Sequence, residues 1–393
     1  MPWKARSVVN ERMVFVSRLQ DGERMSELCR EFGISRKTGY KLLERFTEHG
    51  PRGLYDQSRA RHTVRHRVSA QLEERLVAMR HAHPTWGARK LHAWLRTHVP
   101  GLHLPAIGTI SRVLKRQGLI EPRKRRTKQN VLPYGAKLRQ TSKANELWCI
   151  DFKGQFRLGN GRLCYPLTVT DHYSRFLLGC EALESTQGKP AKEALKEAFR
   201  EYGLPNAIRS DNGPPFASNS IAGLSELSVW WLKLDILPDR IQPGHPEQNG
   251  RHERMHLTLK QETTRPPGKN MLQQQERFDG FARLYNEERP HEAIGDRPPA
   301  TAYVPSNRPL PKDEPEPTYP LHDVTKRINA SGGISFGSPH HVYSIGRALV
   351  NEPVGLREVE DGRWLVTFAK LDLGYIDVRE RQFEPMESFV LHP

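Results

Sequence analysis

Near residue 145 the hydrophobic period of this chain changes. Upstream, apolar residues recur at helical spacing. From NELWCIDF (145–152) they alternate, with Trp148, Ile150 and Phe152 on one face and Leu147, Cys149 and Asp151 on the other. A second change follows the proline-rich PSNRPLPKDEPEPTYP (305–320), beyond which only short strand-like runs remain. One repeating layer cannot carry all three patterns, and 393 residues exceed one ordinary core. The expected organisation is a helical unit over 1–58, a second over 68–120, a basic linker over 121–140, a mixed region over 141–304, a linker over 305–320 and a small all-β region over 321–393.

In the first unit, MSELCREFGISRKTGYKLLERF places Leu28, Phe32, Tyr40, Leu43 and Phe46 at helical spacing, broken at Gly33, with Ser35 as the expected N-cap of the next helix. That helix begins with Arg36, Lys37 and Thr38, side chains suited to phosphates and base edges, which gives the segment a helix-turn-helix form. QLEERLVAMRHA, WGARKLHAWLRTH and AIGTISRVLKRQG suggest three more helices in a second helix-turn-helix or winged-helix-like unit, the last carrying Arg112, Lys115 and Arg116. The run EPRKRRTKQ then supplies Arg123, Lys124, Arg125 and Arg126, read as a linker lying along phosphates or as a solvated spacer. Residues 1–140 hold 30 of the 61 Lys and Arg but only 11 of the 45 Asp and Glu, so the positive excess lies in this third. Charge concentrated on one module is the footprint of a nucleic-acid partner, here double-stranded DNA.

In the mixed region, three antiparallel strands are followed by a helix at KPAKEALKEAFREYG and a short strand ending in Asp211, before the Gly213-Pro214-Pro215 loop. If that last strand lies beside the first, Asp151 and Asp211 emerge at neighbouring strand ends, and an acid from a later helix can join them. Clustered carboxylates repel and need cations; an all-oxygen set suits Mg²⁺ or Mn²⁺ rather than zinc. Two such ions about 4 Å apart suit phosphoryl transfer, one favouring the attacking oxygen and the other the departing one. The four cysteines show no CxxC spacing and read as small core residues in a reducing compartment. The N-terminal stretch lacks the apolar segment of a secretory signal, and no run approaches about 20 apolar residues, so a cytoplasmic protein without membrane spans is expected.

Taken together, WCIDF, TVTDHYSRFLLG, IRSDNGPPF, HPEQNGRHERMHLTLK and YNEERPHEAIGDRPPATAY resemble the integrase-type catalytic core of bacterial insertion-sequence transposases, related to retroviral integrases and folded like ribonuclease H. The resemblance covers about 140–305, and the preceding helix-turn-helix units are similar to those of the same transposases. It implies a DDE recombinase in which Asp151 matches the first aspartate, Asp211 the second and Glu253 the glutamate, with these three as catalytic residues and ligands of two Mg²⁺ or Mn²⁺ ions. Glu247 competes for the third place, because 35 residues separate it from Asp211, against 41 for Glu253. Motif register favours Glu253, three after Gly250 and seven before Lys260. So does local geometry, since Glu247 follows Pro246 in a loop whereas Glu253 sits inside a helix. Lys260, by matching the family's lysine, and His256 on the same helix face would hold the DNA end; Asn212 contacts DNA or shapes its turn. Asp171 is read as structural, paired with Arg175, and Glu262 as a solvated helix acid. Tyr285, Asn286, Arg289, Pro290 and His291 brace the core or touch DNA. GGISF, HHVYSI, VGLREV, RWLVTFA and LGYIDV suggest a small SH3-like barrel, as in related integrases.

The expected protein is thus a multidomain transposase with tandem all-α helix-turn-helix units, an α/β ribonuclease H-like core and a β-barrel. It would act near the bacterial nucleoid as a homo-oligomer on its element's ends. The alternatives are a transposase-derived DNA-binding regulator and a ribonuclease H-type nuclease without strand transfer.

Overall fold

The computed structural model describes residues 8–57, 68–120, 141–218, 223–241, 249–337 and 341–391. The basic run holding Arg123, Lys124, Arg125 and Arg126, and the segment holding Glu247, lie outside the described residues. The chain divides into two compact units, 1–68 and 69–393.

Among its described residues the first unit holds three α-helices, α1 (Val8–Gln20), α2 (Met25–Glu31) and α3 (Arg36–His49), and a short 3-10 turn (Gly50–Leu54), around Phe15, Val16, Leu28, Cys29, Leu42 and Leu54. The Ser35 side chain accepts from the Thr38 backbone N–H at 3.2 Å and so caps α3 as expected. The buried stripe of α3 is rotated from the expected one: Gly39 and Leu42 face inward, whereas Tyr40 is 58% exposed. The glycine explains the rotation, since a Cβ there would stand 2.7 Å from Met25 Sδ and 2.8 Å from Cys29 Sγ.

The second unit opens with α4 (Ala70–Ala82), α5 (Ala88–His98) and α6 (Ile107–Arg116), at the expected positions. The central sheet contains β1 (Trp148–Phe152), β2 (Phe156–Arg157), β3 (Leu163–Asp171), β4 (Leu177–Leu183), β5 (Ala207–Ser210) and β6 (Leu237–Arg240). Its order is β2-β3-β1-β5-β6, with β4 on β3; β1 is antiparallel to β3 and parallel to β5. The alternation of β1 places Trp148 and Ile150 in a core shared with α7 (Gly188–Tyr202) and α8 (Glu226–Lys233). Leu177, Cys164 and Cys180 pack with α9 (Gly250–Thr263) and α10 (Met271–Glu287) through Met255, Leu259, Phe278 and Phe281. The sheet is therefore covered by helices on both faces, which forces polar groups to the strand ends.

The C-terminal region is β7 (Val324–Arg327), β8 (Gly333–Phe336), β9 (His341–Ser344), β10 (Pro353–Glu360), β11 (Arg363–Phe368), β12 (Leu371–Asp377) and β13 (Gln382–Leu391). The SH3-like barrel expected here is not formed among the described residues. The strands make an open sheet, β13-β12-β11-β10-β7, and a separate β8-β9 ribbon, with no pairing to close them. This sheet shares its core with the helical layer, where Leu224, Val229 and Leu232 join Val354, Leu356, Val366 and Phe368.

The stretch expected as a linker is bonded to the core at its start. Leu204 N donates to Arg308 O at 2.7 Å, and the Arg308 guanidinium donates to the carbonyls of Pro205, Leu234 and Asp235 at 2.9 Å each. Gly203, at φ +77°, permits this, since a Cβ would lie 2.7 Å from Ser306 O. Among the described residues no helix is long and apolar enough to cross a membrane.

Candidate metal centre and nucleic-acid interface

Asp151 is the fourth residue of β1. Its neighbour Ile150 faces the α7 and α8 core, so its own side chain points to the α9 side. The side chain is 20% exposed, and its carboxyl is pushed up to about 7, first by burial, then by Asp211 and, further down the order of causes, Glu253. Both remote acids thus act on Asp151 through space, from the end of β5 and the first turn of α9. Asp211 is half-buried, and its Oδ1 accepts from Gly213 N at 3.2 Å. Glu253 is exposed. Carboxyl groups offer oxygen donors, which suit a divalent metal, and among the described residues the metal-ligating atoms brought within 4.8 Å of one another are those of Asp151, His252 and His256.

α9 has two faces. Glu253, Leu257 and Lys260 are exposed, whereas His252, Met255, His256 and Leu259 are buried against the sheet. The expectation that His256 shares the outward stripe with Lys260 is corrected. His256 is 5% exposed, its Nε2 lies 2.7 Å from Thr168 Oγ1 and its Nδ1 3.7 Å from Asp151 Oδ2. His252, not anticipated at all, lies 2.6 Å from the same hydroxyl and 3.0 Å from Thr170 Oγ1. Its signal in the sequence is the i, i+4 pair HxxxH facing two threonines two residues apart on β3.

Other candidates divide between surface and scaffold. Arg36, Lys37, Arg112 and Lys115 are exposed on their helices. Thr38 contributes to the Ser35 cap, with its hydroxyl 2.9 Å from Ser35 Oγ, and Arg116 is exposed but paired with Glu73 at 2.6 Å. Asn212 donates to Ile241 O at 2.8 Å and so ties the β5 and β6 ends together. Asp171 is structural, but not through Arg175: its carboxylate accepts from Asn145 N at 2.8 Å and from Ser174 N and Oγ at 2.7 Å each.

Glu262 is not a solvated acid. It pairs with Arg289 at 2.8 Å and accepts from the Thr85 hydroxyl. Asn286 binds both backbone groups of Leu177, at 2.8 and 2.9 Å, and Lys90 donates to Pro290 O. The YNEERPH segment is therefore a brace between α10, β4 and the α4–α6 helices.

The sequence matches two integrase core domain models, over residues 141–246 and 234–299. A homeodomain-like model matches 38–114 and a helix-turn-helix model 11–62. An uncharacterised 39.2 kDa protein of insertion element IS476 from Xanthomonas euvesicatoria is 29% identical over 230 residues, covering 58% of this chain and 63% of its own length. An uncharacterised 31.7 kDa protein of insertion element IS407 from Burkholderia multivorans is 30% identical over 224 residues, covering 57% of this chain and 77% of its own. Among solved structures, a chain from a simian T-cell lymphotropic virus intasome complex aligns over 80% of this chain and 98% of its own, at 16% identity and a TM-score of 0.38.

Proposed function

The chain belongs to the insertion-element DDE transposases that carry an integrase core, and from that premise we propose that it binds the terminal inverted repeats of its own element, cuts the DNA there and joins the freed 3′ ends to target DNA. The observation that carries this reading is the parallel pairing of β1 with β5 inside an integrase core, which puts the half-buried Asp151 and Asp211 at neighbouring strand ends. Asp151, Asp211 and Glu253 would hold Mg²⁺ or Mn²⁺, two ions in the full site. Such ions supply charge neutralisation and Lewis acidity for displacement at a phosphodiester. The protein's own part is to fix the carboxylates: β1 and β5 set two of them at adjacent strand ends, and α9 fixes the third by burying its opposite face. Lys260, seven residues beyond Glu253 on the exposed stripe, would position a DNA phosphate.

Arg36, Lys37, Arg112 and Lys115 would contact the element ends, with phosphate contacts giving affinity and a few α3 side chains reading bases. Exposed Tyr40 lies on that face and joins the set. Two ends must be paired, so a homo-oligomer assembles on DNA, and the setting is the bacterial cytoplasm beside the nucleoid.

A labelled end oligonucleotide incubated with Mg²⁺ tests the reading. Joined products support a transposase, cleavage without joining a nuclease, and binding alone a regulator. Glu253→Gln and Glu247→Gln, made separately, test the third acid: the first is expected to abolish both steps and the second to leave them, and an active Glu253→Gln enzyme overturns the assignment.

A further inference from the structure

One hydroxyl ties two histidines to the strand that carries Asp151. Thr168 Oγ1 lies 2.6 Å from His252 Nε2, 2.7 Å from His256 Nε2 and 3.2 Å from the Asp151 carbonyl oxygen. A hydroxyl has one proton to give and two lone pairs, and the carbonyl can only accept. Thr168 therefore donates to the carbonyl and accepts from both Nε2 atoms. Both rings are buried, at 2% and 5% exposed, which favours the uncharged imidazole. Each carries its single proton on Nε2 and presents Nδ1 as a lone pair. His252 directs that lone pair at Thr170 Oγ1, 3.0 Å away. His256 directs it at Asp151 Oδ2, 3.7 Å away.

Two electron-rich atoms facing each other beyond hydrogen-bonding distance are poorly matched when Asp151 is ionised. A divalent ion between them removes the mismatch. With bonds of about 2.1 Å, adjacent donors on one octahedral ion stand about 3 Å apart, so a small side-chain rotation brings both atoms into range. The far side of the ring fits too: a metal-bound imidazole usually donates its other N–H to a fixed acceptor that sets tautomer and orientation, which is what Thr168 does for His256.

Resting on the reading of Asp151 as a metal ligand, we propose that His256 is a further ligand of the same cation, through Nδ1. The site then has mixed nitrogen and oxygen donors and favours Mn²⁺ over Mg²⁺ more than a carboxylate-only site would. The donor atoms of Asp151, His252 and His256 all lie within 4.8 Å of one another, but both nitrogens of His252 face threonine hydroxyls, which makes His252 a positioning residue.

Pulsed electron paramagnetic resonance of Mn²⁺ bound to the full-length protein tests this. The wild type is expected to show imidazole nitrogen coupling that changes when isotopically labelled histidine is incorporated. His256→Gln is expected to lose the coupling and to bind Mn²⁺ on the order of tenfold more weakly, with a smaller change for Mg²⁺. Asp151→Asn is expected to remove Mn²⁺ binding at this site. Should Asp151→Asn leave Mn²⁺ bound with an unchanged spectrum, the carboxylate reading itself falls, and this proposal with it. Should Asp151→Asn remove the ion while the wild type shows no nitrogen coupling, or a folded His256→Gln retain it, the carboxylate site stands and histidine ligation is overturned. If His256→Gln does not fold, the labelled wild-type spectrum decides.

Discussion

At the scale of single residues, Asp151 carries a cost in stability that can be measured. Its folded value of about 7 stands above the ordinary 3.8, so the folded, metal-free protein binds the proton more tightly than the unfolded chain does. Stability from this group is fully present at low pH, declines as pH rises above about 4 and is lost by about 7 to 8. Asp151→Asn removes the charge, so in metal chelator it is expected to melt at a higher temperature than wild type at pH 8, the upper bound of the gain being about 4 kcal/mol, with the gap closing near pH 4. Calorimetry at the two pH values checks it, and equal melting at pH 8 refutes it. Glu253 and His256 show what a linear sequence can and cannot give here. At about 100° per residue, Lys260 falls about 20° from Glu253 around α9, whereas His256 falls about 60° away. The boundary between solvent and sheet runs through that interval, so spacing alone leaves His256 undecided; its burial is decided by Thr168 on a distant strand.

Among elements, β1 was legible because alternation, an acid near the strand end and a following hairpin agree with one another, and its parallel neighbour β5 follows from the intervening helix. That the C-terminal sheet stays open was not legible, since closure depends on whether the first and last strands pair, and β7 and β13, the two edge strands, carry polar residues and a proline that hide them from a hydrophobic pattern. Arg209 and Asp239 stand opposite each other in the register of β5 on β6 and pair at 2.7 Å, the arginine side chain being 2% exposed. Asp239→Ala strands that guanidinium and is expected to cost about 3 kcal/mol, measured by denaturant unfolding. A loss under a few tenths would show that β5, and with it Asp211, is held some other way.

Across the whole molecule, the α4–α6 helices join the core through two kinds of pair whose worth differs. Arg89, 47% exposed, meets Asp296 and Glu292 at the rim, so Arg89→Ala is expected to cost under about 1 kcal/mol. Arg289, 6% exposed, depends on Glu262, and Glu262→Ala is expected to cost about 3 kcal/mol and to raise hydrogen exchange in α4 to α6. Parity between the two variants would refute the ranking. Since residues 1–140 carry the basic excess, removing them should flatten the dependence of DNA affinity on salt, read as the slope of log affinity against log concentration; an unchanged slope would place the phosphate contacts on the core.

Leu224, Val229 and Leu232 belong to the catalytic half by sequence, yet their apolar surface is covered by the C-terminal strands. Cutting the gene at residue 304 or 320 would give a fragment with a greasy, unshielded flank, expected to precipitate on expression unless those three leucine and valine positions are made hydrophilic.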